Sequence, residues 1–211
     1  MMNNAGFQIS LDLYGRLCVV IGGEDEAAHK TALLLDVGAK VTVVNPTLNV
    51  ALRKLTAAGK VLHRGRRFRS TDAQGAFVVL NTLPGDTDLA KSLRDLSEAE
   101  RFLVWSIDQP ELSNFMMPAL VRRGALRMAI STGGASPALA GILRRNGEEI
   151  FDEEFEKFLD WLGALRKDVQ ANEPSMEKRR EQLKAAVEGF RLTGKVEYPA
   201  AWIAQQTSSD S

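Results

Sequence analysis

In the first half of the chain, short runs of β-branched residues alternate with segments whose apolar positions recur at helical spacing. The first run predicts a strand at Leu17–Ile21, and the segment at 24–37 predicts a helix, with Gly38 in the position of a C-terminal cap. The same alternation predicts further strands at 40–45, 61–63, 77–81 and 102–107, and helices at 48–58 and 86–99. This order is typical of a parallel sheet covered by helices, so we predict an α/β fold.

The pattern changes after Pro110. A strand is predicted at 126–131, and Ser136 before Pro137 is the pattern of a helix start, so we expect a helix at 137–145.

From Glu148 onward helical patterns dominate. One helical face carries the apolar residues Phe151, Phe155, Phe158, Leu159 and Leu162. A break at 171–175 precedes a second predicted helix at 176–191, whose charges are most simply a solvated face. We therefore expect three parts: a sheet domain at 1–112, a middle segment at 113–147 and a helical C-terminal subdomain at 148–211.

Charge and composition exclude several classes of protein. Basic and acidic residues both number 27, so no overall positive field exists to hold a nucleic acid or an anionic membrane. Hydrophobic residues make up 45% of the chain, which is typical of a globular protein, yet nowhere do about 18 apolar residues follow one another. Cys18 is the only cysteine, and the amino terminus lacks a basic stretch followed by a long apolar segment. We expect a cytoplasmic protein that binds neither nucleic acid nor membrane.

A glycine-containing turn, Gly22-Gly23-Glu24-Asp25-Glu26, joins the first predicted strand to the first helix. A Rossmann-like unit holds the pyrophosphate of a dinucleotide at this place. In the usual pattern G-x-G-x-x-G/A, Gly22 and Ala27 fill the first and last positions, but the middle glycine is replaced by Glu24. The turn therefore predicts a dinucleotide site in which a glutamate replaces the middle glycine of the motif.

The acids at 24–26 leave two interpretations open. They oppose a pyrophosphate, so NAD is expected to bind weakly; alternatively they only complement the helix dipole, by about 0.3 to 1 kcal/mol each, and no dinucleotide binds. The second strand ends in Asn45-Pro46-Thr47, without the carboxylate that commonly binds the adenosine ribose. The candidate cofactor residues are Gly22, Gly23, Glu24, Asp25, Glu26, Asn45, Pro46, Thr47 and Thr82.

Three segments in continuous order, Ser106 to Phe115, Pro118 to Gly124 and Ala129 to Pro137, resemble the precorrin-2 dehydrogenase and sirohydrochlorin ferrochelatase family. The similarity extends upstream through Gly22-Gly23 and Lys30, and it covers about residues 7 to 150. The resemblance implies an NAD-binding half, a central dimer-forming segment and a helical tail, in a homodimer that acts on a tetrapyrrole with many carboxylates.

The resemblance also implies a role for Asp108, which matches the family's essential aspartate. Dehydrogenation of the macrocycle removes a hydride and a proton, and a carboxylate beside the ring could accept that proton. The alternative is that Asp108 only forms the turn that leads into Gln109-Pro110.

An acidic substrate needs cations, which arginine supplies with a planar fork that matches a carboxylate. The candidate substrate-binding residues are Arg122, Arg123 and the turn Ser131, Thr132, Gly133 and Gly134. Arg127, Arg144 and Arg145 lie near these segments in sequence. Thr132 stands where some relatives carry a serine that can be phosphorylated.

The sequence leaves the function open between two alternatives. The first is NAD-dependent dehydrogenation of precorrin-2 to sirohydrochlorin; the second is a relative with a degraded NAD site that acts as a metal chelatase or a tetrapyrrole-binding protein. No Cys/His cluster has metal-ligand spacing, so we expect no resident metal, and ferrous iron would be a substrate. An exposed Phe115-Met116-Met117 cluster would favour a dimer interface, and burial in the core of one chain is the alternative.

Overall fold

The predicted strands of the first half pair in parallel in the computed structural model, which describes residues 6–200. The strands are β1 (Leu17–Ile21), β2 (Lys40–Val44), β3 (Val61–Arg64), β4 (Val78–Asn81) and β5 (Leu103–Ser106), in the order β3-β2-β1-β4-β5. Three helices connect them: α1 (Asp25–Asp36), α2 (Val50–Ala57) and α3 (Thr87–Glu100). The predicted Rossmann-like α/β fold is confirmed.

The central strand β1 shows why these residues form a sheet. Its residues alternate between two buried clusters, because successive side chains of a strand point to opposite faces. Cys18 and Val20 belong to one cluster with Leu52 of α2, while Val19 and Ile21 belong to the other with Leu93 of α3. Burial raises the pKa of the Cys18 thiol to about 11, which keeps it in the neutral thiol form.

The second half contains β6 (Ala119–Arg123), β7 (Leu126–Ile130), α4 (Pro137–Ile150), α5 (Glu153–Asn172) and α6 (Met176–Ala185). Strand β6, which the pattern did not predict, pairs with β7 across a turn where Gly124 has φ 50°.

Two helices differ in length from the prediction. Helix α4 continues past residue 145 because Gly147 packs on β6, where an added Cβ would lie 2.8 Å from Val121 Cγ2. Helix α6 ends at Ala185 instead of 191; it buries none of its residues, so no packing extends it.

The residues fall into two units. Of the described residues, one unit comprises 6–121 together with Arg127–Ile150, and the other comprises Arg122–Leu126 and 151–200. In the second unit the predicted aromatic face is present, with Phe151 and Phe155 ring centroids 4.7 Å apart. None of the helices described between residues 6 and 200 has the length and apolar character needed to span a bilayer. The expectation of a cytoplasmic protein rests partly on the amino-terminal segment, and most of that segment lies outside the described residues.

The Phe-Met-Met cluster divides between the core and the surface. Phe115 and Met117 pack against the core of the sheet, whereas Met116 is 50% exposed. Of these three residues only Met116 therefore offers an exposed apolar side chain to a dimer interface, and core burial accounts for the other two side chains.

Candidate functional site

Gly22 begins the turn that follows β1, at the carboxyl edge of the sheet. Its φ is 132°, a conformation that side chains rarely adopt, and its N–H donates to the Val44 carbonyl at 3.1 Å. An added Cβ would lie 2.1 Å from Thr82 Oγ1. Both the backbone and the available space therefore require glycine at position 22.

Gly23 is required by the loop that follows β2. An added Cβ would lie 2.0 Å from the Thr47 carbonyl oxygen and 2.6 Å from Asn45 Nδ2. The Gly23 carbonyl accepts from Asn49 N–H at 2.7 Å, and Asn45 Nδ2 donates to the Thr47 carbonyl at 2.7 Å. The two loops meet at Gly23, so Asn45 and Thr47 lie next to the glycine turn, with Pro46 exposed between them.

Thr82 follows β4 and joins this group. Its hydroxyl donates to the Ile21 carbonyl at 2.8 Å, and its side chain is buried. The hydroxyl proton is thus used inside the fold, which leaves only the oxygen lone pairs for a ligand.

The three acids of the turn have different surroundings. Asp25 accepts from Asn49 Nδ2 at 2.9 Å, and Glu26 forms an ion pair with Lys30 at 3.1 Å. Glu24 precedes α1 with an extended backbone, φ −100°, and its exposed side chain makes no capping hydrogen bond. Two of the three charges therefore have partners in the chain, whereas the exposed Glu24 has none among residues 6–200.

Asp108 lies just beyond the end of β5. Its φ is 56°, in the left-handed region that Asp tolerates better than most residues, and its side chain is exposed. Within residues 6–200 no hydrogen bond or ion pair engages its carboxylate. Its side chain therefore does not hold the turn together, and it is available to a ligand.

The residues around Asp108 are held by polar contacts to the edge strand β5. Asn114 Oδ1 accepts from Val104 N–H at 2.8 Å, and Ser113 Oγ accepts from Ser106 N–H at 3.0 Å. Gln109 is 7% exposed, and neither polar atom of its side chain has a partner among the described residues. Sequence reasoning missed these side chains as supports of the Asp108 turn; polar residues directly after an edge strand were the available signal.

The turn after β7 is closed by its own side chains. Thr132 Oγ1 accepts from Ser136 N–H at 3.1 Å, Ser131 Oγ accepts from Gly133 N–H at 3.2 Å, and Gly133 and Gly134 have φ of 61° and 85°. An added Cβ at either glycine would meet nothing within 4 Å, so the open face of this turn is accessible.

The candidate arginines are already engaged to different degrees. Arg123 Nε donates to the Phe151 carbonyl at 2.7 Å, and Arg144 forms an ion pair with Glu148 at 2.6 Å. Arg122 is half-buried. A ligand would have to share the guanidinium groups of Arg123 and Arg144 with these partners.

A basic segment at the end of β3 is the second feature that sequence reasoning missed. Four of the seven residues from His63 to Arg69 are arginines, which was the available signal. The fully buried carboxylate of Asp72 accepts from Arg66 at 2.6 and 2.7 Å, from Arg69 N–H at 2.8 Å and from Arg64. The Arg66 guanidinium, together with these other donors, holds the pKa of the Asp72 carboxyl well below its usual range.

The structure thus brings the candidate cofactor residues together at one sheet edge, and Asp108 lies at the same edge, after the strand β5. No hydrogen bond of the described residues joins Asp108 to the turn at Ser131–Gly134. Among residues 6–200 no group of three His, Cys, Asp or Glu side chains has the arrangement of a metal site.

Comparison with known protein families gives two matches. Residues 9–119 match the family described as putative NAD(P)-binding, and residues 123–146 match the one described as sirohaem biosynthesis protein central.

Similar proteins carry related names. The siroheme synthase of Thioalkalivibrio sulfidiphilus is 33% identical over 183 residues, which are 87% of this chain and 37% of the relative. The siroheme synthase of Methylobacillus flagellatus is 31% identical over 82% of this chain and 37% of its own length. The chain thus spans little more than a third of the relatives it matches.

A solved structure described as SirC, precorrin-2 dehydrogenase superposes with a TM-score of 0.73, at 24% identity, over 87% of this chain and 90% of that chain. This likeness shows that the two chains share a fold.

Proposed function

Because this chain belongs to the putative NAD(P)-binding family and carries the central segment of sirohaem biosynthesis proteins, we propose that it is an NAD-dependent precorrin-2 dehydrogenase. The reaction converts precorrin-2 to sirohydrochlorin on the path to siroheme. The names of the relatives and of the similar structure support this proposal. The observation that carries it is the Asp108 carboxylate, exposed and without a partner in residues 6–200, at the same sheet edge as the glycine turn.

The residues of the first turn fit a dinucleotide. Gly22 and Gly23 let the loops after β2 and β4 close on the turn, and the N-terminus of α1, whose first N–H groups have no partner within the helix, follows directly. Asn45, Thr47 and Thr82 lie against the two glycines, and we assign them to cofactor binding together with the exposed Pro46. When bound, NAD supplies the hydride acceptor of the reaction.

Asp108 serves as the proton acceptor in this proposal. Dehydrogenation removes one hydride and one proton from the macrocycle, and an ionised carboxylate at the substrate takes up the proton. The hydrogen bonds of Ser113 and Asn114 to β5 hold the turn that presents Asp108, while its own carboxylate has no partner among residues 6–200.

The polycarboxylate substrate is assigned to the turn Ser131–Gly134 and to Arg122 and Arg123. The accessible glycine backbone lets a bulky ligand approach, and guanidinium groups bind carboxylates with paired hydrogen bonds. We further propose that the enzyme is a cytoplasmic homodimer and that ferrous iron is a second substrate if chelation accompanies oxidation.

The second candidate is a chelatase or tetrapyrrole-binding protein without NAD chemistry. Glu24 favours it, because an exposed negative side chain stands where a dinucleotide site usually has glycine.

An anaerobic assay separates the two candidates. Precorrin-2 is supplied with and without NAD, and in a separate reaction sirohydrochlorin is supplied with ferrous iron or cobalt. The dehydrogenase forms sirohydrochlorin and NADH in equal amounts only when NAD is present; metal insertion into sirohydrochlorin without NAD-dependent oxidation would establish the second candidate.

Asp108→Asn tests the proposed base. Asparagine tolerates the left-handed backbone, so the fold is retained, and we expect a rate loss of about 100-fold or more. Glu111→Gln, an exposed carboxylate in the same loop, is the control and retains activity. Full activity of a folded Asp108→Asn variant would remove Asp108 from the chemistry.

A further inference from the structure

We propose that the dinucleotide site binds the 2′-phosphorylated cofactor NADP at least as tightly as NAD, with Arg64 and Arg66 as the residues that recognise the additional phosphate. The inference rests on the proposed function, because it concerns the same dinucleotide site.

The end of β2 lacks the group that selects against a 2′-phosphate. In Rossmann units, a carboxylate at this position binds the 2′-hydroxyl of the adenosine ribose and repels a phosphate there, whereas a nearby arginine accommodates the phosphate. Here the position holds Asn45, whose amide is turned to the Thr47 carbonyl at 2.7 Å. No negative charge from the end of β2 therefore opposes a 2′-phosphate.

Arg64 lies beside that strand end. The parallel pairing places Arg64 directly opposite Val44, the last residue of β2, and paired strands lie about 4.8 Å apart. His63 Nε2 is 2.9 Å from the Asn45 carbonyl oxygen and holds the ends of β2 and β3 together. The basic segment is thus fixed next to the place where the adenosine ribose of a dinucleotide is expected.

The local charge is positive even after pairing. One carboxylate, that of Asp72, faces the guanidinium groups of both Arg64 and Arg66. The side chains of these arginines remain 38% and 34% exposed, while that of Asp72 is fully buried. The positive charges of Arg64 and Arg66 are therefore accessible from solvent, whereas the negative charge of Asp72 is not.

Donors remain for a phosphate. A guanidinium carries five N–H donors; Arg64 gives one to Asp72, and Arg66 gives two to Asp72 and one to the Arg67 carbonyl. Asp72 also fixes both side chains before any ligand binds, which lowers the entropy lost on binding.

Calorimetric titration of the full chain with NAD and with NADP tests the inference. We expect NADP to bind with a Kd equal to or below that of NAD, and its affinity to fall more steeply with added salt. Arg64→Gln and Arg66→Gln should each weaken NADP binding by about tenfold or more and change NAD binding by less than about threefold. Arg94→Gln, which removes an arginine paired with Glu98 on α3, is the matched control and should change neither.

The outcomes are distinct. Binding of NADP with a Kd above that of NAD overturns this inference and leaves the proposed function standing, whereas absence of binding by both dinucleotides overturns both. If a glutamine variant fails to fold, Arg64→Lys replaces it, because lysine keeps the charge but cannot make the paired hydrogen bonds of a guanidinium group. Unchanged NADP affinity of Arg64→Lys at both low and high salt would count against a role for Arg64.

Discussion

Gly22 and Gly23 are adjacent, yet each is required for a different reason. Gly22 needs its backbone freedom, because φ is 132° and Thr82 occupies the space of a side chain. Gly23 needs only its small size, because the Thr47 carbonyl lies where a Cβ would be. The first glycine shapes the turn, and the second lets the loop after β2 close on it.

The backbone at position 24 does not require glycine, so Glu24 affects cofactor binding only through the charge and the volume of its side chain. Its φ of −100° is open to any residue, and glycine before a helix costs only a few tenths of a kcal/mol relative to a good cap. At an effective dielectric of about 20, two unit charges about 5 Å apart repel by about 3 kcal/mol before screening.

We therefore expect weak NAD binding by the natural chain and a gain of about tenfold in Glu24→Gly, measured by calorimetric titration. Glu24→Gln removes the charge and keeps the volume, so it separates the two effects. Glu154→Gln, an exposed acid of α5, is the control. Tight NAD binding that glycine leaves unchanged would mean that the Glu24 side chain points away from the cofactor.

At the scale of elements, the end of β3 is held by one buried carboxylate. Asp72 belongs to a short 3-10 turn at Ser70–Ala73 and connects that turn to Arg64 and Arg66. Removing one partner of a buried ion pair leaves the other charge uncompensated, which costs more than the pair itself contributes.

Asp72→Asn should lower the free energy of unfolding at pH 7 by about 2 to 4 kcal/mol. Because the folded-state pKa of Asp72 lies below its unfolded value of about 3.9, its contribution is fully present well above that pH and is lost as the pH falls below it. Urea denaturation between pH 7 and pH 3 should therefore show a smaller acid loss in Asp72→Asn than in the natural chain. Asp160→Asn, an exposed carboxylate, should keep the natural pH dependence, and equal losses in all three proteins would contradict a role for Asp72.

At the scale of the whole molecule, the proposed homodimer finds support in an apolar face of α4. Leu139, Ile142, Leu143 and Ile150 are between 43% and 51% exposed, and their spacing places them along one side of the helix. An exposed face of this kind is a common feature of a protein interface.

We expect sedimentation at micromolar concentration to show a dimer, and Ile142→Glu to shift it toward monomer, because burial of a charge in an apolar interface is unfavourable. Val50→Glu, at an exposed apolar position on α2, should leave the dimer intact. A natural chain that sediments only as monomer would remove the proposal. The division of the chain at residues 112 and 147 likewise stays a prediction.

Local patterns in the sequence determined most of the sheet. Leu17–Ile21 was predicted with its observed bounds, since a short apolar run between a turn and a glycine turn has few alternatives to a buried strand. Strand β6 was missed because four of its five residues are only half-buried and two of those four are arginines, so that pairing with β7 decides its structure.

The site divides in the same way. The sequence alone determined the glycine turn, the acids beside it and Asp108 as a candidate, because each is a local motif or part of a recognised segment. Tertiary structure decided that Asp25 and Glu26 have partners, whereas Glu24 has none among residues 6–200. It also decided that Asp72 holds two arginines beside the end of β2. These contacts form between residues that are brought together by the parallel strands and their loops. The order of charged residues along the chain does not determine which of them become neighbours in the folded protein.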